Sequence, residues 1–112
     1  MATVRPPQVG TYELIQDYDS PAATVRVFRM RNTGDAVRPH VHTRSAQIYV
    51  AIEGALEVVI DGASKVIQPF ETAFVPLGTT HGARPAGNTA IVMNISIPPL
   101  AADDQVAIPA AE

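Results

Sequence analysis

Three features of the 112-residue chain predict an all-β domain. Segments of alternating apolar and polar residues recur along it, and turn-forming residues separate nearly all of them. Ten prolines and seven glycines punctuate it too often for long helices. Strand plus turn repeats every ~8–12 residues, the signature of a sandwich or barrel. No helix longer than about two turns is expected.

Thr11–Gln16 is the first candidate strand. Thr24–Arg31 follows, setting Phe28 and Met30 on one face and Arg29 and Arg31 on the other. Val37–His42, Gln47–Glu53, Ala55–Ile60, Ser64–Ile67, Thr72–Val75, His81–Arg84 and Thr89–Ile97 complete the set. Asp61-Gly62, between the β-branched run Val58-Val59-Ile60 and Val66-Ile67, is the strongest hairpin signal. In the last strand Ile91, Met93, Ile95 and Ile97 share one face, and Val92, Asn94 and Ser96 the other. Asn94 and Ser96 then face either a polar cavity or solvent. Residues 101–112 read as a frayed terminus or an arm on a neighbouring subunit. Nothing in the composition splits the chain, so residues 1–112 are expected to form one domain.

Composition removes several function classes. The 46% apolar and 17% charged fractions suit a compact fold rather than a disordered chain. With no cysteine, disulfides, thiolate zinc sites and cysteine nucleophiles are excluded. A net charge of -3 gives no footprint for nucleic acid. The start lacks the apolar run of a signal peptide and no stretch is long and apolar enough to span a bilayer. A cytoplasmic location is expected.

The three histidines are His40, His42 and His81. Residues two apart on a strand project from the same face, so His40 and His42 can present two imidazoles to one point. That is ligand geometry for a first-row divalent metal, although a His-x-His on a half-exposed strand also describes two solvated side chains.

The surrounding spacing is informative. Gly34, five residues, His40-Val41-His42, four residues, Gln47, six residues and Gly54 are followed later by Pro76-Leu77-Gly78-Thr79-Thr80-His81. This resembles the cupin superfamily, whose motifs read G-x5-H-x-H-x3–4-E-x6-G and G-x5-P-x-G-x2-H-x3-N. The resemblance implies a jelly-roll barrel, the double-stranded β-helix. It also implies one divalent transition metal (Zn, Ni, Fe, Mn or Cu) ligated by His40, His42, Gln47 and His81. Gln47 replaces the usual Glu, which leaves an all-neutral ligand set and a more strongly Lewis-acidic ion; alternatively Gln47 only hydrogen-bonds a bound water. Phe70 stands at the first glycine of the second motif, suggesting a different bend around Pro69-Phe70, and Pro85 replaces its terminal Asn.

The His-x-His-x4-Gln variant is similar to small bacterial cupins of pectin degradation, which act on unsaturated uronates. Their acidic and aromatic residues on the last strand correspond here to Asn94 and Ser96, and their following arginine to Leu100 or a neighbour. The departures imply a different substrate. The expected activity is metal-dependent isomerisation, cyclisation or lyase-type proton transfer on a small oxygenated ligand. Tyr49, or water on the metal, is the candidate proton carrier, and strand parity adds Arg44, Asn94 and Ser96 to the pocket. An Fe(II) dioxygenase and a non-catalytic ligand-binding module or sensor are the alternatives. A homodimer is expected, with the strand around Tyr12–Ile15 contributing.

Overall fold

The computed structural model describes residues 8–9, 12–34, 40–42, 44–99 and 105–107. Among these, every regular element is a β-strand. In chain order they are β1 (Gln8–Val9), β2 (Tyr12–Asp19), β3 (Thr24–Arg31), β4 (His40–His42) and β5 (Ala46–Glu53). Then come β6 (Leu56–Ile60), β7 (Ala63–Ile67), β8 (Thr72–Val75), β9 (His81–Pro85), β10 (Thr89–Ile97) and β11 (Gln105–Ala107). All neighbours pair antiparallel, in a six-stranded sheet β1-β2-β3-β10-β5-β8 and a five-stranded sheet β11-β4-β9-β6-β7. This is the expected all-β jelly roll. Among the described residues no helix is long and apolar enough to cross a membrane.

Alternation placed most strands within a residue or so of their ends. β2 is the exception, continuing to Asp19. Leu14 opposes Phe28 and Gln16 opposes Val27, so Ile15 is an extra residue that resets the side-chain parity. Leu14 and Asp17 therefore share the inner side, and the simple alternation breaks off where the strand does not. Gln105–Ala107 pair with β4 of their own chain instead of fraying. Thr11, residues 37–39, Leu100 and the rest of the expected tail lie outside the described residues.

The turns carry the backbone chemistry expected of them. Asp61 and Gly62 both take positive φ, at 50° and 81°, as a two-residue hairpin connection between β6 and β7 requires. Gly54 is also left-handed, and a Cβ there would lie 2.7 Å from the Thr89 carbonyl oxygen, so no side chain fits. Phe70, where the sequence suggests a different bend, takes a left-handed backbone. Its φ of 70° is the one a glycine would take after Pro69, with the Glu71 N–H closing the turn onto the Gln68 carbonyl at 2.9 Å. The turn survives because its ring stays in solvent, 81% exposed, and meets no core atom.

The apolar core joins the two sheets. Leu56, Val58 and Ile67 of the five-stranded sheet pack with Met30, Ala51, Ala73, Val75, Ala90 and Val92 of the other. Fully burying side chains of this kind contributes about 1.5–3 kcal/mol each.

Candidate metal centre

β4 and β9 bring the histidines together. His40 and His42 share a face of β4, and His40 lies directly opposite His81, the first residue of β9. One ring nitrogen from each of the three lies within 4.8 Å of the others. The Pro-x-Gly turn supplies the clamp. Gly78, at a φ of 75°, donates its N–H to the His42 carbonyl at 2.9 Å, holding the loop before β9 against the end of β4. His42 and His81 are buried and His40 is half-buried.

Gln47 reaches the cluster from the opposite sheet. Its Oε1 lies 2.9 Å from Nε2 of His81, and its Nε2 donates to Ser96 Oγ at 3.1 Å. Ser96 Oγ in turn donates to Asn94 Oδ1 at 3.2 Å. All of these groups are buried, and in this arrangement the amide oxygen of Gln47 faces the histidines.

The protonation of His81 follows from its two contacts. Nδ1 lies 3.0 Å from the Thr79 carbonyl, which can only accept, so Nδ1 carries the hydrogen. Burial pushes the imidazole below its usual pKa, the Thr79 carbonyl opposes this, and His42 adds to it. A neutral His81 then turns the lone pair of Nε2 toward the lone pairs of Gln47 Oε1. Two acceptors then face each other, an arrangement that a cation ligated by both satisfies. The donor set thus fits a divalent metal: three imidazoles and one amide oxygen, with the outer nitrogen of His81 and the nitrogen of Gln47 each tied to a protein partner.

The other expected site residues divide. Asn94 and Ser96 face inward and are buried, so they do not line a solvent-facing edge. Tyr49 is also interior, its ring centroid 6.1 Å from that of His81. Burial and then nearby Tyr12 raise its phenol well above the ordinary value, so Tyr49 is an O–H donor at neutral pH. Arg44 does not belong with them. β4 ends at His42, and Arg44 lies in a bend beyond it and is exposed, so strand parity no longer aims it at the pocket.

Sequence reasoning missed Thr24 and Arg26. Both share the parity of Phe28 and Met30, which was visible in the alternation of β3. Ser96 lies opposite Thr24, and Asn94 opposite Arg26.

Comparison with known proteins agrees with this fold. Residues 26–98 match the family described as "Cupin domain". A search of curated proteins found no match. Among solved structures, KdgF from Halomonas sp. is 23% identical with a TM-score of 0.74, over 91% of this chain and 90% of that one. TT1209 from Thermus thermophilus is 25% identical with a TM-score of 0.71, over 80% and 86%. Streptomyces PAC13 with uridine is 14% identical with a TM-score of 0.74, over 94% and 84%. The family match spans well over half of the sequence and both histidine motifs, and the chain belongs to the cupin domain family.

Proposed function

We propose that the protein holds one divalent transition metal on His40, His42, Gln47 and His81 and acts on a small oxygenated molecule. The reaction class is isomerisation, cyclisation or lyase-type proton transfer. The facing acceptors of Gln47 and His81 carry this reading. When bound, the metal supplies Lewis acidity to a carbonyl oxygen, undiminished by any anionic donor in the set.

The chain's own residues prepare the ligand. Tyr49 keeps its proton on Oη and can donate a hydrogen bond to a ligand oxygen. Asn94 and Ser96 hold the Gln47 amide and present polar atoms on the same wall. The uridine in the PAC13 structure supports a small-molecule ligand for a barrel of this fold. A second reading, a non-catalytic binding module, is favoured by the phenol of Tyr49, which burial keeps protonated and so unavailable as a general base.

We also propose a homodimer, with a second copy covering the outer face of the six-stranded sheet. Tyr18, Val25, Ile95, Ile48 and Phe74 lie opposite one another across β2, β3, β10, β5 and β8. This continuous apolar row, with Ile97 beside it, is self-complementary about an axis through its centre. Of the strand expected at the interface only Ile15 is exposed. Tyr12 and Leu14 turn inward, Tyr12 stacking on Phe28 at 5.1 Å.

Elemental analysis and metal titration test the central reading. Wild type should bind one divalent ion per chain, and His81→Ala should lower the affinity by at least about tenfold. One tightly held ion per chain in His81→Ala would overturn the ligand set.

A further inference from the structure

Arg26 occupies an unusual place for an arginine. Its neighbours two residues away on β3, Thr24 and Phe28, turn inward, and Thr24 and Met30 are buried. Arg26 has the same parity, whereas Arg29, Arg31 and Arg84 lie on outward parities of their strands. Across the sheet it opposes Asn94, and beyond Asn94 lies Tyr49. The adjacent inner row is Thr24, Ser96 and Gln47. Arg26 thus stands on the wall of the candidate site, one row along and two strands across from Gln47. Strand spacing and rise put their Cα atoms roughly 12 Å apart.

One bond ties the guanidinium down. Nε donates to Asp17 Oδ1 at 3.3 Å, and the two side chains are 41% and 45% exposed. Among the described residues no group accepts from the Nη nitrogens. The remaining fork therefore offers parallel N–H donors, the geometry that a carboxylate matches bidentately. Between fork and histidines the wall carries Asn94, Ser96 and Tyr49, which suit hydroxyl and carbonyl oxygens. Asp17 and Asp19 stand on the same wall, Asp19 accepting from Thr24 Oγ1 at 3.0 Å. Their charge disfavours a dianionic phosphate and leaves room for a single carboxylate.

We propose that Arg26 is the specificity-determining residue of the site, binding the carboxylate of a ligand whose oxygenated other end lies at His40, His42 and His81. This rests on the metal-centre reading. The ligand class is a small oxo- or hydroxycarboxylic acid with its carboxylate several bonds from the oxygen held at the histidines. Asp17 is a positioning residue: it sets the guanidinium from the Nε side and leaves the Nη side for the ligand.

Calorimetric binding of two probes to the nickel-loaded protein tests the assignment. 2-Oxoglutarate and 2-oxopentanoate share an oxo acid end and differ in a distal carboxylate. Wild type should prefer 2-oxoglutarate by about tenfold or more. Arg26→Gln should abolish the preference while leaving 2-oxopentanoate binding, nickel content and melting temperature unchanged. Arg26→Lys should restore part of it through charge without the fork. A preference that survives Arg26→Gln, or a wild type that binds the probes equally or not at all, overturns the proposal. Nickel content of His81→Ala, measured in parallel, reports on the metal centre independently.

Discussion

At one end of the six-stranded sheet, Met30, Ala90, Phe28, Val92 and Ala51 face inward, while Arg29 pairs with Glu13 on the outer side. At the other end the polarity reverses. Gln47, Ser96, Asn94 and Thr24 are buried inside, and the outer row runs Tyr18, Val25, Ile95, Ile48 and Phe74. Tyr18 and Phe74 remain 65% and 59% exposed. An inner wall that buries polar groups forgoes hydrophobic stabilisation, and an apolar outer wall meets water at a cost. The first end does the work of holding the barrel closed. The second suits the proposed occupants, a ligand inside and a second copy outside.

The largest effect expected from this contrast is at the apolar end. Met30→Ala should destabilise the fold by about 2–5 kcal/mol, since a fully packed side chain is lost among neighbours that cannot collapse around it. Urea denaturation measures it. A loss below about 1 kcal/mol would mean that the core does not lie where the burial pattern puts it.

Next is the outer face of the polar end. Ile95 is central in the apolar row, and Ile95→Glu would place an unpaired carboxylate in the middle of the proposed subunit contact. The dimer should weaken by about 2–3 kcal/mol, roughly a hundredfold in dissociation constant. Light scattering of the wild type at high micromolar concentration is the companion measurement, and a monomer mass there sinks the dimer.

How much of this was legible in the sequence varies with how local the signal is. The histidines could be placed because two-residue spacing on a strand and a Pro-x-Gly turn are local facts. Gln47 came from motif spacing, but its relay through Ser96 to Asn94 joins β5 to β10 and has no local trace. Arg26 shared the parity of Phe28 and Met30 in plain view, yet β3 reads as a core strand and the arginine as its exposed side. Asp17 could not be placed, because the bulge at Ile15 shifts its parity. Arg44 was misplaced for the opposite reason, a strand that stops at His42. At Phe70 the residue type suggested a changed bend, while the turn imposed a glycine-like backbone on an exposed phenylalanine.

The inner face of the polar end is sharpened by Ser96→Ala. It removes the acceptor that holds the Gln47 amide, so Oε1 is no longer fixed toward His81. Metal affinity should fall by about tenfold, the usual cost of losing a group that orients a ligand. Folding stability should change by about 1 kcal/mol or less, against the larger loss at Met30. Unchanged metal affinity would show that the relay does not orient the amide.

The smallest effect is expected on the outer face of the five-stranded sheet, which meets water in the ordinary way. There Glu57 accepts from Ser64 Oγ at 2.6 Å and from Arg84 Nε at 2.6 Å. The Ser64 hydroxyl first, and then Arg84, hold its carboxyl below the ordinary pKa of 4.5. A depressed folded pKa means that the carboxylate contributes stability above pH 4.5 and loses it as the pH falls through the lower folded value. Arg84 is 39% exposed, so water and salt screen the pair and the contribution stays under about 1 kcal/mol. Urea midpoints at pH 7 and pH 3 should converge for wild type and Glu57→Gln at the acid end and separate slightly at the neutral end. Light scattering of Glu57→Gln should match the wild type. A change in its association state would move the subunit contact to this sheet and remove the reason given for the apolar row on the other.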